Sequence, residues 1–553
     1  MKIIVIGGLS AGPSAAAKAR RENETAEIIL FEKGSAISYA TCGIPYALSG
    51  IIETRAKLIV VEANLLKVRF NIDVHLDEEI LKVDCQNKFV ISTKGSYKYD
   101  KLMFATGASS IVPPIKNIET TSNWSTCRSL ADFDKIMKEG IVSAVTKITV
   151  VGAGLIGVEL AENLIEAGKE VTLIEGGNQI LPMWTPKFAF MAEQALQENG
   201  VRVLKSVFVN EFVAEKDKVS SVIVGAGEII ESNYVILSAG IRPNTKLLID
   251  NGAKHLPNGA LLVNEKMETS IPSVYAAGDN VAIKNLQTNT YDYFPLGTHS
   301  NKGGRTAGAN IAGANIEFKG AYKTAILKVF NYTLARTGMN PSSLIKHKIN
   351  YKTVLTIAGA TPSYYPNAKD LIIEIYYHAA THKILGAELF GEHGVDKRVD
   401  VLSTAIYAGL KIEDLAQLDL AYAPPFSPAK DPLVVTSFSA ENEIRALTEQ
   451  ISVENFQAYI NKASRNEYVI LDVRTRTELK QGFIPNSISI PLDELRTRLN
   501  ELDNLEIPIY IYCAKGLRGY LASLILKQAN YKQLYNIAGG FKMWKLFGGT
   551  LNY

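Results

Sequence analysis

Two of the four cysteines stand in settings where a thiol could do chemistry. Cys42 lies in SYATCGIPY, before a Gly-Ile-Pro turn that favours the start of a helix. The positive end of a helix dipole favours the thiolate, the nucleophilic form of cysteine. Cys513 lies in the loop CAKGLRG, whose flexible members can turn backbone N–H groups toward a sulfur anion. The sequence predicts two reactive thiols, the second supported by Lys515, Gly516 and Arg518.

Two glycine-rich turns, about 145 residues apart, each follow a short β-branched strand pattern and precede a helical pattern. In the second turn Gly152, Gly154 and Gly157 complete G-x-G-x-x-G. Glu175 ends the next strand pattern, where a carboxylate binds ribose hydroxyls and repels a 2′-phosphate. This unit predicts an NADH site.

The first turn, GGLSAG, is less regular. Gly7 and Gly12 hold the outer positions, Leu9 replaces the middle glycine, and Gly8 keeps the turn narrow. Glu32 ends the following strand pattern, as Glu175 does in the second unit. A second nucleotide site is favoured over an ordinary glycine-rich turn.

Composition excludes several classes of function. Hydrophobic residues make up 47% and charged residues 21% of the 553 residues, with a net charge of +3, so neither a nucleic-acid nor a membrane partner is expected. MKIIVIGG enters a strand pattern directly, which argues against a signal peptide. Four widely separated cysteines predict reduced thiols in a cytoplasmic protein, with Cys85 and Cys127 structural.

Two further stretches resemble the flavin-site segments of flavoproteins with two dinucleotide-binding domains. They are YDKLMFATGA (99–108) and TSIPSVYAAGDN (269–280), and AGIRPN (239–244) resembles the turn that closes the NAD domain. The resemblance implies FAD in the first unit, with Asp279 on its ribityl chain. The other cofactor-binding residues expected in the two units are Lys33, Thr106, Gly107, Arg128, Ile156, Gly240 and Gly278.

The chain up to about residue 435 is similar to the coenzyme A-disulfide reductases and NADH-dependent persulfide reductases. The similarity lies in SYATCGIPY, NKGGRTAGANIAG (301–313), SYYPNA (363–368), GVDKRVDVLSTAI (394–406) and YAPPFSPAKDP (422–432). It implies that Cys42 takes one substrate sulfur as a mixed disulfide with coenzyme A. It also implies a homodimer in which Tyr364 and Tyr422 reach the partner's site and protonate the departing thiolate. Either tyrosine could instead be an ordinary interface residue.

Ser14, Lys18 and Arg21 fall at i, i+4 and i+7 of the first predicted helix. A stripe with two cations suits a ligand with several phosphates, although a solvated helix face is the alternative. The family resemblance implies coenzyme A contacts there and at Ser38, Thr41, Asn301 and Lys430.

The last hundred or so residues resemble a rhodanese domain, through YVILDVRTRTELKQGFIPNSISIPLDELRTRL and IYIYCAKGLRGYLASLIL. The resemblance implies that Cys513 carries sulfane sulfur, while Asp472, Arg474 and Glu478 match the scaffold motif of the domain.

We therefore expect an α/β chain with two Rossmann-like domains, an α+β dimerisation domain and a rhodanese-like α/β domain. The expected boundaries are 1–112 and 245–320 for FAD, 113–244 for NAD, 321–438 for dimerisation, 439–452 for a linker, and 453–553 for rhodanese.

The predicted function is FAD-dependent reduction by NADH of persulfides, polysulfide or coenzyme A disulfide, with an attached sulfurtransferase. The alternative is an NADH oxidase or peroxidase that cycles Cys42 through sulfenic acid. Such enzymes carry a histidine in the first turn where this chain has Ser10. A third hypothesis, a redox-sensing flavoprotein, would not require Cys42. No metal site is expected, because His378 and His382 fall in a strand–turn–strand pattern.

Overall fold

The computed structural model describes residues 1–142, 144–502 and 504–553. The chain divides into two compact units. The first comprises Met1–Pro182 and Leu196–Lys323, and the second comprises Met183–Ala195 and Thr324–Tyr553. Each unit is built around sheets whose strands follow the buried β-branched runs of the sequence.

The strands of the first unit are β1 (Lys2–Ile6), β2 (Glu27–Phe31), β3 (Asp73–His75), β4 (Ile80–Asp84), β5 (Phe89–Ser92), β6 (Ser96–Lys98), β7 (Lys101–Phe104), β8 (Ala108–Ser110), β9 (Trp124–Thr126), β10 (Lys147–Val151), β11 (Glu170–Glu175), β12 (Arg202–Lys205), β13 (Val209–Glu215), β14 (Lys218–Val224), β15 (Glu228–Glu231), β16 (Tyr234–Leu237), β17 (Ile241–Pro243), β18 (Leu261–Leu262), β19 (Val274–Ala276), β20 (Val281–Lys284) and β21 (Tyr291–Asp292). The helices up to residue 323 are α1 (Ala11–Glu22), α2 (Ile44–Leu48), α3 (Ala63–Phe70), α4 (Leu130–Ile136), α5 (Leu155–Glu166), α6 (Pro186–Glu198), α7 (Lys246–Ile249) and α8 (Gly297–Ile311).

Two parallel five-stranded sheets organise the first unit. Their strand orders are β19-β7-β1-β2-β3 and β12-β11-β10-β16-β9. In both, the strand before a glycine-rich turn lies in the centre, paired in parallel on both sides. Strands β1 and β10 are almost wholly buried, as expected where helices cover both faces of a parallel sheet. Both predicted dinucleotide-binding folds are therefore present.

The strands of the second unit are β22 (Ala325–Val329), β23 (Tyr332–Gly338), β24 (Tyr351–Gly359), β25 (Asp370–His378), β26 (Ile384–Gly391), β27 (Gln450–Ile451), β28 (Val469–Asp472), β29 (Ile488–Ser489), β30 (Ile509–Tyr512) and β31 (Leu534–Ile537). Its helices are α9 (Pro341–Lys346), α10 (Val395–Ala408), α11 (Pro432–Ile444), α12 (Val453–Ile460), α13 (Arg476–Leu479), α14 (Leu492–Leu495), α15 (Leu517–Gln528) and α16 (Gly540–Leu546).

The second unit contains an antiparallel sheet, β22-β23-β26-β25-β24, and a parallel sheet, β27-β31-β30-β28-β29. The segment 439–452, expected as a linker, is more ordered than its polar composition indicated. Helix α11 continues through it to Ile444, and β27 at its end pairs with β31. The segment Met183–Ala195, expected in the NAD domain, clusters with the second unit.

A buried ion cluster explains why Met183–Ala195 belongs to the second unit. The Lys187 Nζ lies 2.7 Å from Glu374 on β25 and 3.1 Å from Glu454 on α12. The Lys187 side chain is 8% exposed and that of Glu374 is 4% exposed. Burial alone lowers the pKa of Lys187, but the two carboxylates outweigh burial and raise it. Lys187 is therefore charged and joins three segments of the chain.

We expect Lys187→Met to destabilise the second unit by about 3 kcal/mol, because Glu374 would keep a buried charge without its cation. The measurement is the thermal unfolding midpoint of the full chain by differential scanning calorimetry. The control is Lys246→Met, which removes an exposed pair with Asp250 and should cost under about 1 kcal/mol. Equal melting of the two variants would contradict the role of the cluster.

In the part of the chain that the structure describes, no helix is both long and apolar enough to cross a bilayer.

Candidate functional site

The second glycine turn has the geometry that its motif predicts. Gly152 has φ +102°, and a Cβ there would lie 2.5 Å from the Ser238 carbonyl oxygen. A Cβ on Gly157 would lie 1.8 Å from the Gly152 oxygen, whereas nothing lies within 4 Å of one on Gly154. The outer glycines are thus required by packing, and the middle one borders open space. This arrangement fits a pyrophosphate approaching the N-terminus of α5.

The first turn repeats this construction. Gly7 has φ +105°, and a Cβ there would lie 2.2 Å from the Ala105 oxygen. A Cβ on Gly12 would lie 1.8 Å from the Gly7 oxygen. The buried Ser10 Oγ has no hydrogen-bond partner among the described residues, so the turn has a polar group to offer a ligand. The first turn therefore also fits a dinucleotide.

A carboxylate closes each turn in the same way. Glu32 accepts hydrogen bonds from the N–H groups of Gly8 at 2.7 Å and Gly34 at 2.8 Å. Glu175 accepts hydrogen bonds from Ala153 and Gly177, both at 2.8 Å. Both acids are held at the ends of their strands, where a bound ribose would meet them. Lys33, beside Glu32, and Ile156, on α5, are exposed.

Arg128 and Asp279, which are distant in sequence, form an ion pair in the first unit. Their nearest N and O atoms are 2.6 Å apart, and Arg128 Nε also donates to the Ala108 oxygen. Thr106 Oγ1 donates to the Asn244 oxygen at 2.6 Å. The remaining glycines of this expected set all have positive φ, namely Gly107, Gly240 and Gly278. The structure thus brings the predicted Arg128 and Asp279 together.

Cys42 is exposed and begins a helical segment. The 3₁₀ turn Thr41–Gly43 leads directly into α2, with Pro45 in its first turn. The residue five positions after Cys42 is the buried Ala47, so no second cysteine lies at this position to form a disulfide with Cys42. Cys42 has no disulfide partner, and all four cysteines of the chain are free thiols.

Tyr46 and Glu159 form a contact that the sequence analysis missed. The Tyr46 hydroxyl donates to Glu159 Oε1 at 3.2 Å, linking α2 to the nucleotide-binding helix α5. Burial raises the pKa of Glu159 to about 7, helped by the charge of Glu162 and opposed by the Tyr46 hydrogen bond. Burial also raises the pKa of Tyr46, and so do the charges of Glu159, Glu162 and Cys42. The available signal was a carboxylate two residues after the third glycine of the motif.

Two of the predicted coenzyme A residues of the first unit lie on helices α1 and α8, which are in close contact. Ser14 Oγ on α1 donates to Asn301 Oδ1 on α8 at 2.9 Å. Gly304 and Gly308 permit the close approach of the two helices. A Cβ on Gly304 would lie 2.5 Å from a backbone oxygen of α1, and a Cβ on Gly308 would lie 2.2 Å from another. The small residues of α8 therefore serve close helix packing.

The other predicted substrate residues have varied surroundings. Lys18 pairs with Glu22, and Arg21 Nε donates to a backbone oxygen of its own helix. The Ser38 N–H donates to the Gly8 oxygen at 2.8 Å, which places Ser38 beside the first turn. Thr41 begins the Cys42 turn, and Lys430 is exposed in the second unit.

Tyr364 and Tyr422 lie together in the second unit. Both are exposed, and their side chains are hydrogen-bonded to each other. This hydrogen bond raises the pKa of Tyr364, so its phenol stays protonated at neutral pH. Two residues that are far apart in sequence thus form one exposed donor pair.

The Cys513 loop has part of the predicted thiol-binding geometry. Cys513 is buried, its Sγ accepts a hydrogen bond from the Gly516 N–H at 3.1 Å, and Arg518 also contacts it. Gly516 has φ +128°, a conformation that favours glycine. Arg518 in turn forms two hydrogen bonds with Glu478, at 2.7 and 2.6 Å.

Lys515 differs from the expectation. Its ammonium group was expected to support the Cys513 sulfur, but it lies 2.7 Å from Asp370 on β25. Lys542 on α16 pairs with the same carboxylate at 2.5 Å. The flexible Lys515 side chain pairs with a partly buried carboxylate from a distant part of the chain, and sequence patterns do not reveal that partner.

Burial keeps the other two thiols protonated, and His382 has an acidic partner. Burial raises the pKa of the Cys127 and Cys85 thiols, as suits structural cysteines. His382 pairs with Glu413 at 2.5 Å. In residues 1–142, 144–502 and 504–553, no group of three or more His, Cys, Asp or Glu side chains is arranged to hold a metal ion.

Three family descriptions match the chain in succession. Residues 1–292 match the pyridine nucleotide-disulphide oxidoreductases, residues 324–433 their dimerisation domain, and residues 455–546 the rhodanese-like domain. This family is FAD-dependent and NAD(P)H-dependent, which agrees with the FAD implied by the resemblance and with the nicotinamide cofactor, NADH, predicted from the second turn.

Individual relatives agree with this assignment. The NAD(P)H sulfur oxidoreductase (CoA-dependent) of Pyrococcus abyssi is 34% identical, over 78% of this chain and 96% of its own length. The crystal structure of reduced Bacillus anthracis CoADR-RHD superposes with a TM-score of 0.94 at 36% identity, covering 100% of this chain and 99% of that one. The NAD-dependent persulfide reductase from A. fulgidus superposes with a TM-score of 0.91 at 35% identity, covering 98% and 100%. The chain belongs to the pyridine nucleotide-disulphide oxidoreductase family, in a form that carries a C-terminal rhodanese-like domain.

Proposed function

We propose that this protein is an FAD-dependent NADH oxidoreductase that reduces persulfides, polysulfide or coenzyme A disulfide through Cys42. The observation that carries the proposal is the exposed, unpaired Cys42 at the start of a helical segment, in the same compact unit as both dinucleotide turns. The sulfur oxidoreductase and persulfide reductase relatives support this substrate class.

The two cofactors are assigned to the two turns. Gly7, Gly12 and Glu32 would hold FAD, with Asp279 and Arg128 toward its ribityl chain. The second turn would hold NADH, and the fixed Glu175 disfavours the 2′-phosphate of NADPH. When bound, FAD and NADH supply the electron pair that separates a mixed disulfide into two thiolates.

Cys42 acts as the nucleophile toward the substrate. Its thiolate attacks the inner sulfur of a persulfide R–S–SH, the sulfur bonded to R. The S–S bond of the persulfide breaks, Cys42–S–S–R forms, and HS⁻ is released. With coenzyme A disulfide the same attack releases one coenzyme A thiolate. Ser14, Asn301, Ser38, Thr41, Lys18 and Arg21 are the proposed coenzyme A contacts of the first unit.

The Tyr364–Tyr422 pair is the proposed proton donor to the departing sulfur. Its exposure and its shared hydrogen bond suit a surface that meets the site of a partner subunit. We propose a homodimer on this basis and on the dimerisation-domain match, with Lys430 as a coenzyme A contact of the same region.

The rhodanese-like domain would handle sulfane sulfur through Cys513. Gly516 and Arg518 support the sulfur, and a persulfide formed there could be delivered to coenzyme A. The four free thiols are compatible with a reducing compartment, and we propose the cytoplasm.

Cys42→Ser should lower NADH-dependent persulfide turnover by about a hundredfold or more, because a serine hydroxyl cannot form the mixed disulfide. The measurement is anaerobic NADH oxidation with coenzyme A persulfide, polysulfide and coenzyme A disulfide in turn, with sulfide release recorded. Flavin reduction by NADH in a single turnover should be unchanged.

The matched control is Cys513→Ser, which should retain reduction of coenzyme A persulfide supplied directly. Unchanged persulfide turnover in Cys42→Ser would contradict the proposal. Wild-type protein that is inactive with all three substrates but oxidises NADH rapidly in air would instead establish the oxidase.

The Tyr46–Glu159 pair predicts a pH dependence of NADH use. Because burial raises the pKa of Glu159 to about 7, this carboxyl is neutral below pH 7 and adds a negative charge to α5 above it. The neighbouring titratable groups are Tyr46, Glu162 and Cys42. NADH is itself an anion, so its KM should rise on the order of fivefold between pH 6 and pH 8.

Glu159→Gln should flatten this profile, as measured by the KM for NADH in steady-state kinetics at a series of pH values. Glu166→Gln, which removes an exposed carboxylate from the same helix, is the control and should retain the wild-type profile. An unaltered pH profile in Glu159→Gln would disprove the assignment.

A further inference from the structure

The Cys513 loop lies among cations that are all engaged by carboxylates. Between residues 513 and 519 the cations are Lys515 and Arg518. Lys515 pairs with Asp370 at 2.7 Å, and Arg518 pairs with Glu478 at 2.6 Å. A loop that binds a donor with two negative charges needs cations free to meet them. The two cations of this loop already have partners.

Asp370 is the carboxylate that comes from outside the rhodanese-like domain. It is the first residue of β25, in the region matched to the dimerisation domain. Its side chain is 17% exposed and receives both Lys515 and Lys542. Burial raises the pKa of Asp370, but the hydrogen bonds from the two lysines outweigh burial and lower it. Asp370 is therefore ionised at neutral pH.

The second lysine lies in a segment that is fixed to the loop through its backbone. The Phe541 N–H donates to the Cys513 oxygen at 2.8 Å, and the Lys542 N–H donates to the Ala514 oxygen at 3.1 Å. A Cβ on Gly540 would lie 2.3 Å from the Cys513 oxygen. Asp370 thus holds the loop directly through Lys515 and indirectly through Lys542.

Three cations, Lys515, Lys542 and Arg518, face two carboxylates and the reacting thiolate at this loop, so its charge is close to neutral. Leu517, which follows Gly516 in the loop, is 71% exposed and adds an apolar side chain to the loop surface. A loop with almost no net charge and an exposed apolar side chain suits an organic donor and disfavours a compact dianion.

We propose that Asp370 is a positioning residue that determines donor specificity at Cys513: by engaging Lys515 it selects organic persulfides over the inorganic dianion thiosulfate. This inference rests on the proposed role of Cys513 as a sulfur carrier. It adds that a residue of the neighbouring domain sets which donor Cys513 accepts.

The two donors differ in the charge of the group that leaves when the outer sulfur is transferred to Cys513. With an organic persulfide, Cys513–S⁻ attacks the outer sulfur of RSSH, the donor S–S bond breaks, and Cys513–S–SH and RS⁻ result. With thiosulfate the same attack on the outer sulfur yields Cys513–S–S⁻ and sulfite, SO₃²⁻. The second reaction places a dianion at the loop before and after transfer, so it depends more on a free cation.

The test is the rate at which Cys513 gains one sulfur atom, followed by peptide mass spectrometry on the full-length holoenzyme. The donors are thiosulfate and glutathione persulfide, supplied without NADH. The variants are Asp370→Asn and Asp370→Asn combined with Lys515→Ala. Asp396→Asn, which removes an exposed carboxylate from α10 of the same domain, is the control for net charge.

Wild type should be labelled faster by glutathione persulfide than by thiosulfate. Asp370→Asn should raise the rate of labelling by thiosulfate by about fivefold, because it releases the partly exposed ammonium group of Lys515. The rate of labelling by glutathione persulfide should stay within about twofold of the wild-type rate. The added Lys515→Ala should cancel the gain, and Asp396→Asn should resemble wild type.

An Asp370→Asn variant with an unchanged ratio of the two rates would overturn the specificity role while leaving Cys513 as a carrier. A gain that survives the added Lys515→Ala would also overturn it, because Lys515 would not be the cation released. Absence of Cys513 labelling by either donor in wild type would refute both the carrier role and this inference.

Discussion

A redox-active thiol with no second cysteine beside it can form a disulfide only with a sulfur atom of the substrate. Cys42 begins a short helical segment in which position 47 is a buried alanine, so an intramolecular disulfide cannot store the electron pair there. Under the proposed function, the cofactors held by the two dinucleotide turns supply electrons to a centre that can hold only one covalent partner at a time.

The residues predictable from sequence are those whose roles are fixed locally. Gly7, Gly12, Gly152 and Gly157 are required because a Cβ would collide with a backbone oxygen only a few residues away or on the adjoining strand. These steric requirements fix the spacing of the glycines, and this spacing can be recognised in the sequence. Family motifs also pointed to Arg128, Asp279, Tyr364 and Tyr422. The structure then pairs Arg128 with Asp279 and Tyr364 with Tyr422, although the members of each pair lie far apart in the chain.

Contacts between distant segments without a motif were not predictable. Lys515 was expected to serve its own loop, yet its ammonium group pairs with Asp370, 145 residues earlier in the chain. The Tyr46–Glu159 hydrogen bond and the Lys187 cluster are of the same kind. In each case a long polar side chain reaches a carboxylate that the fold buries beside it, and only the tertiary structure identifies that carboxylate.

The two sulfur centres differ in how the protein surrounds them. Cys42 is exposed in a unit built for electron delivery, while Cys513 is buried in a loop held by backbone and ionic contacts. An exposed thiolate suits a bulky substrate such as coenzyme A, and an enclosed one suits a single transferred sulfur atom. Under the proposed function, the fusion of the two domains joins sulfur transfer and reduction in one chain.

The most direct test of the central claim is to trap the substrate on Cys42. Full-length protein with the Cys42 thiol reduced and the flavin oxidised would be incubated anaerobically with coenzyme A disulfide in the absence of NADH and mapped by peptide mass spectrometry. The account predicts one coenzyme A on Cys42, none on Cys85 or Cys127, and loss of the adduct when NADH is added. An unmodified Cys42 under these conditions, together with its conversion to sulfenic acid on exposure to air, would contradict it.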